Sequence, residues 1–487
     1  ALYQRRHSVK HLFVILTSLS FVVGETNFPS TAAFSLEENG NKVRFQIPEL
    51  EILETGDFQR ISSKITGTTT DPGYPELPIY TAHISTDPAR EYSFNYTVVN
   101  THLLEDVSVF PFQSTEGDPL SNSIAQVNAQ FYQSSEIYPL QNMIVSSPQS
   151  MRGLHLVQVS IIPFKFDPKT QTLEVWDEVE ISMTDEGPNT NEELRQMPRS
   201  RIFEQLYDGL ILDGGTGTPR DDDKYQQPAI LYVCGGSSES SSYFQQLVDW
   251  RSKRGYVVYS APTSETGNSA SQIKNYIQNA YDTYDPPPEY VCLVGDVGGT
   301  YNIPTFAEEF GHNDFGSYCE GDHPFSQLDG TDLLPEVLIG RISIRSSAEL
   351  GVVVNKIINY EKATYLSQIS SYYEKAALAG DPYDSGVSCA ISKEYVAEVM
   401  NSNGMDDIRL KTSGSSWSSW MRNQLDEGVL YFNYRGYVGV SGFDNGDIDA
   451  ANNGYKLPFA SVLTCGPGSF AEENTCMSEK FLRAGSI

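Results

Sequence analysis

The stretch GVLYFNYRGYVGVSGF at residues 428–443 is followed, after a short polar segment, by KLPFASVLTCGPGSF at residues 456–470. Each stretch contains a short apolar run bounded by turn residues. Such runs are typical of strands buried on both faces of a parallel sheet, although periodicity alone also fits a buried helix. Because catalytic groups collect beyond the carboxyl ends of strands in open α/β sheets, we expect Tyr437 and Cys465 to meet at one sheet edge.

Residues 430–436 and 463–466 resemble the two catalytic strand ends of the gingipain family, which are secreted cysteine endopeptidases with a caspase-like fold. In that family the first loop has the sequence Asn-Tyr-x-Gly-His-Gly and carries the catalytic histidine, and the second strand ends at the nucleophilic cysteine. The resemblance implies that Cys465 is the nucleophile. Tyr437 and Val438 stand where the family has the histidine and the next glycine.

A cysteine peptidase needs a thiolate, a base and hydrogen-bond donors for the oxyanion. The loops at Gly436, Val438 and Gly466 place backbone N–H groups beside the predicted nucleophile and are the expected donors. The resemblance also implies that Asp381 assists the base, and the alternative is that Asp381 only begins a turn. A phenol ionises near pH ~10 and is a poor general base, and removal of such a base costs about 10²–10⁴-fold in rate.

The composition sets limits on the class of protein. The chain has 487 residues, of which 39% are hydrophobic and 11% aromatic, enough for two to four packed domains. The formal net charge is −30. A surface this acidic repels phosphate backbones, and no basic patch is visible in the sequence, so we expect no nucleic-acid partner.

The amino-terminal residues combine a positive segment, an apolar core of about a dozen residues and small residues near position 24, which predicts a secretory signal. A membrane anchor is the alternative, but a spanning helix needs about 20 apolar residues. The predicted boundaries are 1–24 for the signal peptide, 25–185 for an all-β sandwich-like prodomain, 186–227 for a linker, 228–372 for a first α/β sub-domain and 373–487 for a second one, truncated at its carboxyl end.

Both sub-domains alternate apolar strands with amphipathic helices, which predicts parallel sheets with flavodoxin-like or Rossmann-like layering. Residues 328–343, LDGTDLLPEVLIGRIS, again resemble gingipains and are the most specific marker in the chain. Residues 71–78, DPGYPELP, are similar to the prodomain that precedes the catalytic domain in that family. The resemblance therefore implies a caspase-like fold behind a removable propeptide, and a permanent β domain for adhesion or spacing is the alternative.

The long loop of the first sub-domain contains Asp314, Glu320 and Asp322, which the resemblance implies as ligands of a structural calcium ion. Their spacing does not match a recognised calcium loop, and no cofactor is required for the expected reaction. The same loop holds His312 and His323, which are either substitute bases or surface residues.

Six cysteines show neither a CxxC pair nor zinc-site spacing. Disulfides between Cys319 and Cys389, or between Cys465 and Cys476, remain open alternatives, and the second would block the nucleophile. The sequence thus predicts a secreted or cell-surface, gingipain-like cysteine endopeptidase that acts on proteins or peptides. The alternative is an inactive binding protein on the same scaffold.

Overall fold

The structure is a computed structural model, and it describes residues 33–37, 41–63, 67–113, 126–189, 197–215, 225–309, 318–384, 386–471 and 475–485. The predicted signal segment 1–24 lies outside these residues. The chain divides into two compact units, of which one comprises Ser20–Gln226 with Asp329–Glu336 and the other includes Gln227–Leu328 and Val337–Ile487. None of the described helices combines the length and hydropathy needed to cross a lipid bilayer.

The unit that contains Ser20–Gln226 is built mainly of antiparallel strands. Its strands are β1 (Phe34–Leu36), β2 (Lys42–Gln46), β3 (Glu51–Thr55), β4 (Phe58–Ser62), β5 (Gly67–Thr68), β6 (Pro78–Thr86), β7 (Arg90–Leu104), β8 (Met143–Val145), β9 (Gln149–Met151), β10 (Leu154–Ile161), β11 (Phe164–Asp167) and β12 (Thr172–Pro188). One sheet has the order β1-β2-β12-β11 with β7 on β12, and another has β5-β6-β10-β8 with β9 on β10. Strands β3 and β4 form a separate hairpin.

The alternation along β2 explains how this unit forms a core. Val43 and Phe45 are buried, whereas Arg44 and Gln46 between and after them are exposed. Phe45 pairs with Val179 and Val43 with Ile181 on β12, so apolar side chains of the two strands share one face of the sheet. A period of two residues is what a half-buried strand requires.

Helices α1 (Ala129–Tyr132) and α2 (Arg201–Leu210) belong to the same unit. Helix α2 lies inside the range predicted as a loop-rich linker, so that part of the prediction is wrong. Ser200 accepts a hydrogen bond from the Phe203 N–H group as the helix N-cap, and Phe203 and Tyr207 are buried. Two aromatic residues four positions apart therefore hold the helix against the strands.

The other unit contains a parallel sheet of four strands in the order β14-β13-β15-β18. Its elements are β13 (Ala229–Cys234), α3 (Ser242–Lys253), β14 (Val257–Pro262), α4 (Thr263–Thr266), α5 (Ala270–Thr283), β15 (Tyr290–Val294), the hairpin β16 (Phe306–Glu309) and β17 (Tyr318–Gly321), β18 (Leu338–Ile342), α6 (Ser347–Glu361) and α7 (Leu366–Ile369). Short 3₁₀ turns occupy Ser238–Ser240, His323–Phe325 and Ser370–Glu374.

A second parallel sheet in this unit has the order β20-β19-β21-β22. Its elements are β19 (Lys375–Gly380), α8 (Ser388–Ser402), β20 (Asp407–Lys411), α9 (Trp417–Glu427), β21 (Tyr431–Arg435), α10 (Asn445–Asp449), β22 (Phe459–Leu463) and α11 (Met477–Arg483). The predicted mixed α/β architecture with parallel sheets is therefore confirmed. In the first of the two stretches that predict this sheet, residues 428–443, the strand β21 begins at Tyr431.

Candidate active site

Three strand ends of the second sheet meet where the sequence predicted a catalytic site. Strands β21 and β22 are parallel neighbours, with Arg435 opposite Leu463 at their carboxyl ends. The Gly439 N–H group donates a hydrogen bond of 2.8 Å to the Cys465 carbonyl oxygen, and the Asp381 N–H group donates one of 3.0 Å to Arg435. The loops that carry Tyr437 and Cys465 are therefore held against each other by backbone hydrogen bonds.

Both predicted reactive side chains are accessible to solvent. Cys465 is an exposed free thiol, and the Tyr437 side chain is 53% exposed. Cys389 and Cys476 are buried free thiols. Neither disulfide considered from the sequence is formed, so the Cys465 sulfur is available to react.

Asp381 is held in place by groups from two segments. Its carboxylate accepts a hydrogen bond from the Ser441 hydroxyl, and the Tyr383 N–H group donates one of 3.0 Å to it. The Ser441 hydroxyl also lies 2.7 Å from the Tyr434 hydroxyl. Burial raises the pKa of the Tyr434 phenol, so the phenol stays protonated at neutral pH.

The contact with Tyr383 is an Asx turn of the type predicted as the alternative role of Asp381. The contact with Ser441 was not predicted, because it joins positions 60 residues apart in the chain. Tyr434, which contacts the same Ser441 hydroxyl, belongs to the same sequence motif as Tyr437. This is the one indication of the contact in the sequence.

The loop positions predicted to hold an oxyanion have special backbone geometry. Gly436 packs against the buried Tyr434 ring, with no space for a Cβ atom. Val438 adopts a φ of +24° and Gly466 a φ of +95°. A positive φ is costly for a β-branched residue, so the loop at Val438 is strained and is held by the Gly439–Cys465 hydrogen bond.

The loop after Cys465 also contacts the acidic segment of the first half of this unit. The Ala471 N–H group donates a hydrogen bond of 3.2 Å to the Glu320 carboxylate. The Arg341 guanidinium lies 5.2 Å from the centre of the Phe470 ring and forms an ion pair of 2.7 Å with Asp322. This segment therefore helps to position the chain that follows Cys465.

These contacts bear on the calcium prediction. Both Asp322 oxygens are engaged by Arg341, one of them also by the Thr305 hydroxyl, and Glu320 binds a backbone N–H group. Among the described residues, no three His, Cys, Asp or Glu side chains are arranged to hold a metal ion. The described residues alone thus do not form a calcium site, and Asp314 lies outside them.

Of the two histidines of the acidic loop, the structure describes His323. His312 lies outside the described residues. His323 begins a 3₁₀ turn, where its Nδ1 atom lies 3.4 Å from the Ser326 hydroxyl.

A buried charge cluster ties helix α11, which follows the Cys465 loop, to the first sheet. Arg483 forms ion pairs of 2.8 Å with Asp296 and 2.7 Å with Glu479, and Arg345 also pairs with Asp296. The Ser343 hydroxyl donates to Glu479 over 2.5 Å. No motif in the sequence indicates this cluster, because its members lie far apart in the chain.

The pKa values of the two carboxyl groups in this cluster are shifted in opposite directions. Burial opposes ionisation of Asp296, but hydrogen bonds from Glu479, Arg345 and Arg483 hold its pKa below the ordinary value. Burial raises the pKa of Glu479. Hydrogen bonding thus favours the charged form of Asp296, whereas burial favours the neutral form of Glu479.

Lys393 of helix α8 lies beneath strand β21, which precedes the loop of Tyr437. The side chain is buried, and its ammonium group donates a hydrogen bond to the Asn433 side chain. Burial, together with the neighbouring Arg435 charge, lowers the pKa of Lys393 to about 8. Asn433 belongs to the predicted motif, whereas no pattern in the sequence indicates Lys393 as its partner.

Comparison with known proteins identifies relatives of both parts of the chain. The family model of peptidase family C25 matches residues 223–487, and the model of the C25 propeptide matches residues 26–205. Gingipain R2 of Porphyromonas gingivalis is 22% identical over 481 residues, which cover 94% of this chain and 62% of the relative. Lys-gingipain HG66 of the same species is 26% identical over 356 residues, which cover 69% and 19%.

Among solved structures, one titled as the Arg-specific cysteine proteinase gingipain R is similar at 21% identity and a TM-score of 0.44. It covers 54% of this chain and 60% of that one. The present chain thus spans less than two thirds of the length of these relatives.

Proposed function

The chain belongs to peptidase family C25, the gingipain family, and carries that family's propeptide ahead of its peptidase region, and from this premise we propose that it is the precursor of a secreted cysteine endopeptidase. The proposed nucleophile is Cys465, and the proposed substrates are proteins or peptides. The proposed location is extracellular or at the cell surface, as for a protein exported through the predicted signal at 1–24.

In the proposed reaction the Cys465 sulfur attacks the carbonyl carbon of the scissile peptide bond. The carbonyl oxygen becomes an oxyanion that backbone N–H groups at Gly436, Val438 and Gly466 would stabilise. The C–N bond then breaks, the amine leaves with the proton that the Cys465 thiol has lost, and a thioester remains on Cys465. Water hydrolyses the thioester to release the acid and restore the thiol.

A single observation supports this assignment most strongly. Cys465 is an exposed free thiol at the carboxyl end of β22, and its carbonyl group is hydrogen-bonded to the loop that follows β21. Accessible thiols at the edge of a parallel sheet are placed to attack a bound ligand, whereas buried structural cysteines are inert.

Labelling with a thiol-directed peptidyl probe tests the proposal. We expect the purified protein, after removal of its propeptide, to be labelled at Cys465 and to cleave unlabelled peptides. Cys465→Ala should abolish both signals, whereas Cys389→Ala, which removes a buried thiol, should leave them. Labelling that persists in Cys465→Ala would contradict the proposal.

Tyr437 favours a second candidate function, that of a catalytically inactive binding protein on the same scaffold. A phenol cannot form the ion pair with a thiolate that an imidazole forms, because it does not carry a positive charge. Under this alternative, Tyr437→His should create peptide cleavage where the unchanged protein has none, with a gain of about 10²–10⁴-fold above background. Efficient cleavage by the unchanged protein would exclude the alternative.

Calcium at the loop of Asp314, Glu320 and Asp322 stays a prediction that depends on Asp314. Calcium would have to compete with Arg341 for Asp322. Thermal unfolding with calcium and with a chelator tests it, since a bound ion raises the midpoint in a concentration-dependent way.

A further inference from the structure

A cleft of about 490 Å³ lies beside β14, the edge strand of the first parallel sheet. Its lining combines aromatic and acidic side chains and contains no basic one. The lining residues are Val258, Tyr259, Ser260, Glu265, Tyr276, Tyr284 and Asp285. None of them belongs to the loops of the candidate active site.

Three tyrosines form one connected wall of this cleft. The ring centres of Tyr259 and Tyr284 are 4.8 Å apart. The Tyr276 hydroxyl lies 3.0 Å from the Tyr284 hydroxyl and donates a hydrogen bond of 2.7 Å to Glu265. All three tyrosines are half-buried, so neighbouring side chains fix the orientation of the wall.

The cleft carries negative charge that is not neutralised locally. Glu265 and Asp285 are exposed, and neither forms an ion pair within the part of the chain that the structure describes. Burial raises the pKa of the Tyr259 and Tyr276 phenols, so both remain neutral donors. Two carboxylates beside three aromatic rings provide the environment that attracts an organic cation.

The adjoining strand offers backbone hydrogen-bonding groups. In the described residues β14 pairs only with β13, so its outer edge has no strand partner. Unpaired edges accept extended peptides, which add as a further strand while side-chain pockets provide specificity.

We propose that this cleft seats the protonated side chain of a lysine or arginine in an extended peptide that adds to the edge of β14. The cleft would then serve as a binding site for basic protein segments, separate from Cys465. This proposal does not depend on the proposed peptidase activity, because binding is measured without cleavage.

Fluorescence anisotropy with a labelled Thr-Val-Lys-Val-Thr peptide tests the proposal in the full chain carrying Cys465→Ala, so that no peptide is cut. We expect this peptide to bind about tenfold more tightly than the same peptide with norleucine in place of lysine. The double variant Glu265→Gln with Asp285→Asn should remove this preference. The double variant Glu394→Gln with Glu398→Gln removes the same charge from exposed positions of α8 and should preserve it.

Three results would overturn the proposal. One is equal affinity for the lysine and norleucine peptides. Another is an equal loss of affinity in the two double variants, which would show only general attraction to an acidic chain. The third is that n-butylammonium displaces the peptide and binds with the same Kd as the peptide. This result would show that the strand edge contributes nothing to the affinity.

Discussion

The side chains behind the loop that carries Tyr437 leave little room for change at single residues. Tyr434 is buried, its hydroxyl contacts Ser441, and Ser441 in turn binds Asp381. Gly436 passes directly over the Tyr434 ring. The loop that presents Tyr437 is therefore shaped from beneath by the buried Tyr434 side chain.

Gly436→Ala is expected to destabilise the protein, because the new Cβ atom would overlap the Tyr434 hydroxyl. Overpacking of this kind costs about 1–3 kcal/mol in the free energy of unfolding. Gly468→Ala is the control, since its Cβ atom would meet open space in the loop after Cys465. Chemical denaturation of both variants measures the difference, and equal stability would show that the Tyr434 ring relaxes freely.

The sequence predicts some residues of the site better than others. Cys465 and Tyr437 each follow an apolar run with a glycine-rich end. Their position at the same edge of the sheet therefore follows from the prediction that the two runs are parallel strands. The partners Ser441 and Lys393 depend on a turn geometry and on a helix orientation that no local pattern encodes. Contacts between residues far apart in sequence thus required the structure.

Among the elements, helix α8 places a charge where a sheet usually meets apolar side chains. Lys393 points from this helix to Asn433 on β21, and Gly380 on β19 gives it space, since a Cβ atom there would press on the lysine stem. A buried ammonium without a carboxylate partner is costly, and this cost explains the lowered pKa.

This lowered pKa predicts a dependence of stability on pH. Lys393 has a pKa of about 8 when folded and an ordinary value of 10.5 when unfolded. Between these values the unfolded chain binds more protons, so the free energy of unfolding rises with pH, by about 3 kcal/mol over the window. Lys393→Met should remove this rise, as measured by denaturant unfolding at pH 7.5 and pH 10. Lys253→Met, at an exposed position, should keep it.

Helix α11 is the element through which the chain after Cys465 reaches the first sheet. Arg483→Met removes the guanidinium group that the buried Asp296 and Glu479 carboxyl groups share. Breaking a buried pair in this way costs about 3–5 kcal/mol. Lys480→Met removes a partly exposed pair with Asp449 from the same helix and should cost at most about 1 kcal/mol. Similar unfolding midpoints for the two variants would contradict a structural role of the cluster.

Elements with a strong apolar pattern were predictable, and weakly patterned ones were not. Helix α3 has Phe244 and Leu247 at helical spacing, and both are buried, which agrees with the amphipathic pattern that predicts the helices of this unit. Strand β20 was missed because it is an edge strand in which charged residues alternate with Ile408 and Leu410. Helix α2 was missed because its polar surroundings suggested a linker.

The chain as a whole consists of two compact units that correspond closely to the propeptide and peptidase matches. The chain passes from one unit to the other at Gln226 and Gln227. The predicted linker 186–227 contains Arg195, Arg199, Arg201 and Arg220, of which the structure describes Arg199 and Arg201. Arg199 is paired with Glu204 over 3.0 Å, and Arg201 is the first residue of helix α2.

Proteases need an extended, unfolded segment, so cleavage at Arg199 or Arg201 would require helix α2 to open. We therefore expect limited trypsin digestion to cut first at Arg220, which lies after this helix in sequence and before β13. Mass spectrometry should detect one fragment that ends at Arg220 and another that begins at Asp221. Arg220→Gln should delay this cleavage, whereas Arg201→Gln should not. First cleavage within Arg201–Leu210 would show that α2 opens readily, and the boundary between the two units would then lie before this helix.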